Sequence, residues 1–256
     1  MNKRISYVFA AAALAVAVVA IGAGIAAAEK PVIVRVGELE AEFNGGFSPK
    51  VLSKTKPTPI SFNISGKFRS LNPNPEEQHV PAIKEFLFEG DKHASIDVKG
   101  IPVCSPSKIQ STDTASAEKA CGPALIGTGK TEVGIKFPEQ KEIFAHSDLL
   151  AFNGGVKGGV TTLYIHAYIT VPTPAAIVTT VKIKKVHKGR YGTSSVATVP
   201  KIAGGSGSVK SFSLNLQKGI ISATCPDGHL DARGTAVFAD GTRAKGAVVR
   251  KCTGKG

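Results

Sequence analysis

A chain of 256 residues, 42% of them hydrophobic, is long enough to bury a sizeable core, and 32 Lys and Arg against 19 Asp and Glu give it a net charge of +13 that favours anionic partners. Tryptophan is absent and only 4 tyrosines occur, so the aromatic platforms that stack bases or sugars are missing and nucleic acid is the least expected of those anions. The 28 glycines, set among abundant Val, Thr and Ile, favour strands joined by turns.

Residues 1–28 read as a signal peptide. Lys3 and Arg4 precede an uncharged Ala/Val-rich stretch, and Ala26-Ala27-Ala28 fits the small-residue cleavage rule, which puts Glu29 at the mature N-terminus. The alternative is a retained anchor, because the run is long enough to span a bilayer; Gly22, Gly24 and the many alanines argue against it. Cleavage removes Lys3 and Arg4 and no acid, taking the charge from +13 to +11. The expected localisation is secreted or cell-envelope associated.

The mature chain begins with alternating residues from Pro31 to Phe43, a bulge near Gly37 and a turn at Asn44-Gly45-Gly46. Strands follow at Ile60–Phe68, Ala82–Phe88 and Ala94–Val98, with an Asn/Pro-rich loop over Ser70–Glu77. One short helix is expected between Cys104 and Cys121, capped by Asp113 or Thr114 and stopped by Gly122-Pro123. Ala124–Ile126 and Val133–Phe137 are read as a hairpin around Gly127-Thr128-Gly129-Lys130. From Leu149 to Pro174 the pattern is strand, turn at Asn153-Gly154-Gly155, then a longer strand. There Leu163, Ile165, Ala167, Ile169 and Val171 share one face, and Tyr164, His166 and Tyr168 share the other. Ile177–Val186 and Tyr191–Val199 flank a turn at Lys188-Gly189-Arg190. The chain ends in a three-strand meander turning at Pro226-Asp227-Gly228 and Asp240-Gly241.

These elements predict an all-β fold, an antiparallel β-sandwich. Phe43-Asn44-Gly45-Gly46 recurs as Phe152-Asn153-Gly154-Gly155, and three further landmarks repeat in the same order. This suggests two tandem related modules, 29–137 and 138–256; the alternative is one large β domain over 29–256. Four cysteines in an exported chain read as two disulfides among three connectivities. Neighbour pairing is favoured, since Cys104 and Cys121 bracket the helix while the meander brings Cys225 and Cys252 to one end of a sheet. Neither pair has Cys-x-x-Cys spacing, which speaks against a metal site.

Chemical motifs are scarce. Gly127-Thr128-Gly129-Lys130-Thr131 lacks the first glycine of a phosphate loop, and Gly204-Gly205-Ser206-Gly207-Ser208 lacks the last glycine of a nucleophile elbow. The six histidines are scattered, and His146-Ser147-Asp148 along one strand would hold its His and Asp about 7 Å apart, too far for a direct hydrogen bond. No catalytic residue, cofactor or metal ligand is therefore assigned. Two candidate binding surfaces remain. One is the stripe of Tyr164, His166 and Tyr168; its other reading is ordinary cross-strand packing. The second is the basic ledge of Lys182, Lys184, Lys185, Lys188 and Arg190, which would hold a polyanion or protect a strand edge.

The Phe-Asn-Gly-Gly-Val-Lys-Gly-Gly stretch at 152–159, the strand to Pro174, the segment Ala175–Pro200 and Cys225-Pro226-Asp227-Gly228 together resemble a family of exported, β-rich bacterial proteins to which no activity is attached. The resemblance implies export and β architecture only. The leading expectation is a non-enzymatic exported protein that associates with the cell envelope, through an anionic wall polymer or a membrane surface, or with another extracellular polyanion. The alternatives are a lipid or small-molecule carrier whose sheets enclose its ligand, and a secreted hydrolase with dispersed active-site residues.

Overall fold

The computed structural model describes residues 29–256, so the signal peptide expected over residues 1–28 lies outside the described residues. The strands are β1 (Val32–Val36), β2 (Leu39–Ser48), β3 (Val51–Ser53), β4 (Thr58–Ser70), β5 (Ile83–Asp91), β6 (Ala94–Ile96), β7 (Leu125–Ile135), β8 (Ile143–Lys157), β9 (Val160–Ile169), β10 (Ala175–Lys188), β11 (Tyr191–Thr198), β12 (Gly207–Ala223), β13 (His229–Phe238), β14 (Arg243–Lys251) and β15 (Thr253–Lys255). The helix α1 spans Thr114–Cys121, with Asp113 as its N-cap accepting from the Ser116 N–H at 2.7 Å, and a 3₁₀ turn at Gly122–Ala124 follows. The helix thus lies where the capping chemistry placed it.

Twelve strands form one antiparallel path in the order β1-β2-β4-β12-β7-β8-β9-β10-β11-β5-β13-β14; β6 pairs with β12 off this path, and β15 pairs with β3 in a small parallel ribbon. The path bends round until β1 and β14 approach with Cα atoms within 8 Å, although no backbone ladder joins them among the described residues. The fold is all-β as expected, but it is a nearly closed barrel and not a sandwich. Period-two alternation reports one buried face per strand and does not say whether that face meets a second sheet or the far wall of its own sheet.

The path also interleaves the two halves of the chain. β12 lies between β4 and β7, and β5 lies between β11 and β13. The division near Phe137 therefore does not coincide with a boundary between sheets.

Several turn assignments move. The Asn-Gly-Gly segments at 44–46 and 153–155 lie inside β2 and β8, and the β8–β9 hairpin turns at Gly158 and Gly159, both with positive φ. Gly154 is there for close approach: a Cβ on it would sit 2.7 Å from the Tyr164 ring. The hairpin expected at Gly127–Lys130 is the middle of β7, where the glycines let β12 pass at short distance. Gly37 makes a turn between β1 and β2 instead of a bulge. The terminal meander is only partly formed, because β13 pairs with β14 and β5 but not with β12. Cys225 and Cys252 nevertheless meet, joining the ends of β12 and β14 with Cα atoms 6.2 Å apart.

Phenylalanines pack one end of the barrel. Phe68 meets Phe43 and Phe238 edge-on at 6.2 and 5.7 Å between ring centroids, and Phe86 meets Phe212 at 5.3 Å. Phe43 also closes the seam between β1 and β14. Its ring lies over Gly246 and Gly234, where added Cβ atoms would stand only 2.5 and 3.2 Å away. Side-chain packing thus substitutes at the seam for the missing ladder.

Candidate functional site

Along the middle of the barrel, alternation sends Phe62 and Ile64 of β4, Phe86 and Phe88 of β5, Ile165 of β9, and Ile177 and Ile183 of β10 inward. These side chains are only half-buried although they point away from solvent, because they line a cavity of about 290 Å³. An eight-stranded barrel fills its interior with side chains or holds one small ligand, and the larger girth of twelve strands leaves room that even phenylalanines do not occupy. The cavity lies between two packed clusters. One contains Phe68, Val80, Ile83 and Phe238; the other contains Phe47, Leu52, Ile60 and Leu230 beside the Cys225–Cys252 disulfide.

The wall is almost entirely apolar, and some of its hydroxyls are turned into the wall itself. Thr131 Oγ1 donates to the Ser211 carbonyl at 2.9 Å and Ser195 Oγ to the Phe88 carbonyl at 3.1 Å. Charge enters at one end, where Asp91, Asp231 and Arg250 line the cavity; Arg250 follows Ala244, Gly246 and Val248 on the inward face of β14. Water in such a space would find few partners, whereas a hydrocarbon would lose nothing by entering it.

The outer wall is organised differently. Leu149, Leu150, Ala151 and Phe152 are buried without alternation because β8 is covered on both faces. Its outer face, with that of β9, carries a cap built from residues 102–124, entered from Val98 and Ile101, which pack with Ala151 and Leu163. Cys104, Ile109, Ala117, Cys121 and Ala124 pack on Leu150 and Phe152, with Tyr164 and Val178 at the margin. The Cys104–Cys121 disulfide ties the cap together across 17 residues. Asn153, almost fully buried, anchors it by donating from Nδ2 to the carbonyls of Ile101 and Pro102 at 2.9 and 3.1 Å.

The Tyr164–His166–Tyr168 stripe lies on this outer face. His166 has no exposed surface, and its Nε2 donates to the Thr112 carbonyl at 2.9 Å, leaving Nδ1 without a partner. Burial pushes its pKa below the ordinary histidine value, against the opposing pull of the Thr112 hydrogen bond and the Asp113 charge, so the ring is neutral. Tyr164 packs on the cap and Tyr168 is partly buried. The stripe is thus a seat for the cap and not an open row.

In the basic ledge, Lys182 and Lys184 are exposed on the outside of β10, and Lys185, in strand phase with Ile183, is exposed near its end. Arg190 is held apart from them, with Nη1 at 3.3 Å from the buried Asp231 carboxylate, which also faces His229 at 3.5 Å and keeps one oxygen unmatched. Lys188 ends the same strand. His146, Ser147 and Asp148 do not assemble: His146 faces Glu132 at 3.6 Å, Ser147 Oγ donates to the Asp148 carbonyl, and Asp148 faces Lys130 at 3.9 Å. No group of three or more His, Cys, Asp or Glu side chains converges as metal ligands among the described residues.

Sequence reasoning missed both the cavity and Arg250. Parity along β14 was the available signal for the arginine, and nothing local signals an empty interior. No protein-family model matches the chain and no curated protein matches it in sequence, so the reading of its function stands on the barrel and its cavity alone.

Proposed function

We propose that the protein is an exported, non-enzymatic carrier that encloses a small apolar ligand in its barrel. One observation carries this reading: a ring of inward-facing Phe and Ile side chains, left half-buried around about 290 Å³ of apolar space. Burying that surface against a ligand contributes about 25 cal/mol per Å² of apolar area. The two disulfides fit an oxidising, extracytoplasmic setting. Native mass spectrometry after gentle purification tests the reading: a retained small mass, or one acquired on addition of decan-1-ol, is expected. A protein that carries nothing and takes up no decan-1-ol refutes it.

A second reading concerns delivery. The exposed Lys182, Lys184 and Lys185 support association with an anionic wall polymer or membrane surface. Reversing these three charges should abolish sedimentation with purified cell envelope, and unchanged sedimentation would remove the ledge from consideration.

A further inference from the structure

Arg250 is the feature that a plain apolar barrel does not need. Its side chain is 8% exposed and lines the cavity from the inward face of β14. Asp91 and Asp231 also line the cavity at this end, but each is already paired: Asp91 meets His93 at 3.0 Å and Asp231 meets Arg190 at 3.3 Å. They leave the interior cation to Arg250.

A guanidinium has five N–H donors. Nε of Arg250 donates to the Gly45 carbonyl at 2.6 Å, Nη1 to the Val249 carbonyl at 3.1 Å, and Nη2 to the Lys30 carbonyl at 3.3 Å and Asn44 Oδ1 at 2.7 Å. One Nη1 hydrogen remains. The carboxylate that balances the charge belongs to Glu29, with Oε2 at 3.2 Å from Nε; Glu29 is one-third exposed and also accepts from Lys50 Nζ at 2.9 Å. A buried cation is costly without an anion beside it. Here that anion comes from a side chain at the rim that has a second cation to keep it.

We infer that the cavity takes an apolar monocarboxylate, a medium-chain acyl acid, whose carboxylate replaces Glu29 on Arg250 while its chain fills the apolar space. The inference rests on the carrier reading and names its ligand class. At ~30 Å³ for each water-sized group, the cavity of about 290 Å³ holds roughly ten such groups. That is one short acyl chain. The incoming carboxylate accepts from the spare Nη1–H, and Glu29 stays paired with Lys50.

The test is isothermal titration calorimetry of the purified protein with decanoate and with decan-1-ol, two chains of equal length that differ in the head group. Decanoate should bind about tenfold more tightly, the scale of a charge-assisted hydrogen bond. Because Arg250 also holds Lys30, Asn44 and Gly45, variants of Arg250 risk misfolding, and Glu29→Gln is the informative change. Removing the competing carboxylate should widen the decanoate-to-decan-1-ol affinity ratio several-fold. Equal binding of the two in the unaltered protein, or an unchanged ratio in Glu29→Gln, overturns the Arg250 anchor and leaves the apolar carrier standing. Binding of neither overturns both.

Discussion

Filling the cavity from its own wall separates ligand binding from folding. Ala197 on β11 and Ala232 on β13 face the interior and are only half-buried, so both have free space before them. Ala197→Leu with Ala232→Leu adds six carbon atoms, roughly 180 Å³ at ~30 Å³ per group. Of about 290 Å³, room for only a few atoms then remains, and decan-1-ol no longer fits. Filling empty volume returns up to ~24 cal/mol per Å³, an upper bound near 4 kcal/mol, against which about 1–3 kcal/mol of packing strain is set. Binding and stability should therefore separate: calorimetry loses the decan-1-ol signal while thermal unfolding stays where it was or rises. A double variant that folds normally and still binds decan-1-ol as the unaltered protein does would refute the assignment of the ligand to this cavity.

Three further outcomes follow from the shell. Gly246→Val drives a side chain into the Phe43 ring, 2.5 Å from the added Cβ, and should cost about 1–3 kcal/mol in denaturant unfolding. Replacing Cys104 and Cys121 by Ser frees a 17-residue segment and should lower stability by about 3 kcal/mol; hydrogen exchange should rise over residues 102–124 while the barrel strands stay protected. His166 makes the cap acid-sensitive. Burial lowers its pKa in the folded protein, so the unfolded chain binds the proton first. The stability it contributes is present above about pH 6.5, the ordinary histidine value, and is lost as pH falls toward the lower folded value. Unfolding free energies should decline between about pH 7.5 and pH 5.5, and His166→Gln should flatten that decline; identical profiles in the two proteins would refute it.

How much of this was legible varies by the range of the interaction. The alternation of Leu163, Ile165 and Ala167 against Tyr164, His166 and Tyr168 was plain in the sequence, and β9 keeps it. The apolar face does look inward; that the opposite face is covered too was not legible, since the cap that buries His166 comes from Thr112, 54 residues away. Asn-Gly-Gly was misread as a turn because that chemistry is usually local. Asn153 instead serves carbonyls 51 and 52 residues distant, and the turn falls on the next two glycines. The unbroken Leu149–Phe152 run did carry information: four consecutive apolar residues in a strand mean burial on both faces. Arg250 sits in a segment that reads as a charged strand end, and only its parity with Val248 marks it as interior. Its partners at Asn44 and Lys30 lie 206 and 220 residues away, beyond any local pattern.

The same long-range closure determines where this barrel is weakest. Every neighbouring pair on the path from β1 to β14 is joined by a ladder of backbone hydrogen bonds, so parting any of them strands N–H and C=O groups in an apolar wall. Parting β1 from β14 strands none, because no ladder is there among the described residues. What holds that seam is side chains: the Phe43 ring over Gly246 and Gly234, and Arg250 reaching Gly45, Asn44 and Lys30. The residue that brings positive charge to the cavity is therefore also a clasp on the seam, and the carboxylate of Glu29 lies beside both. Exchange of that carboxylate for a ligand's would alter the clasp and the cavity together, tying occupancy of the interior to the join that, among the described residues, opens without breaking main-chain hydrogen bonds.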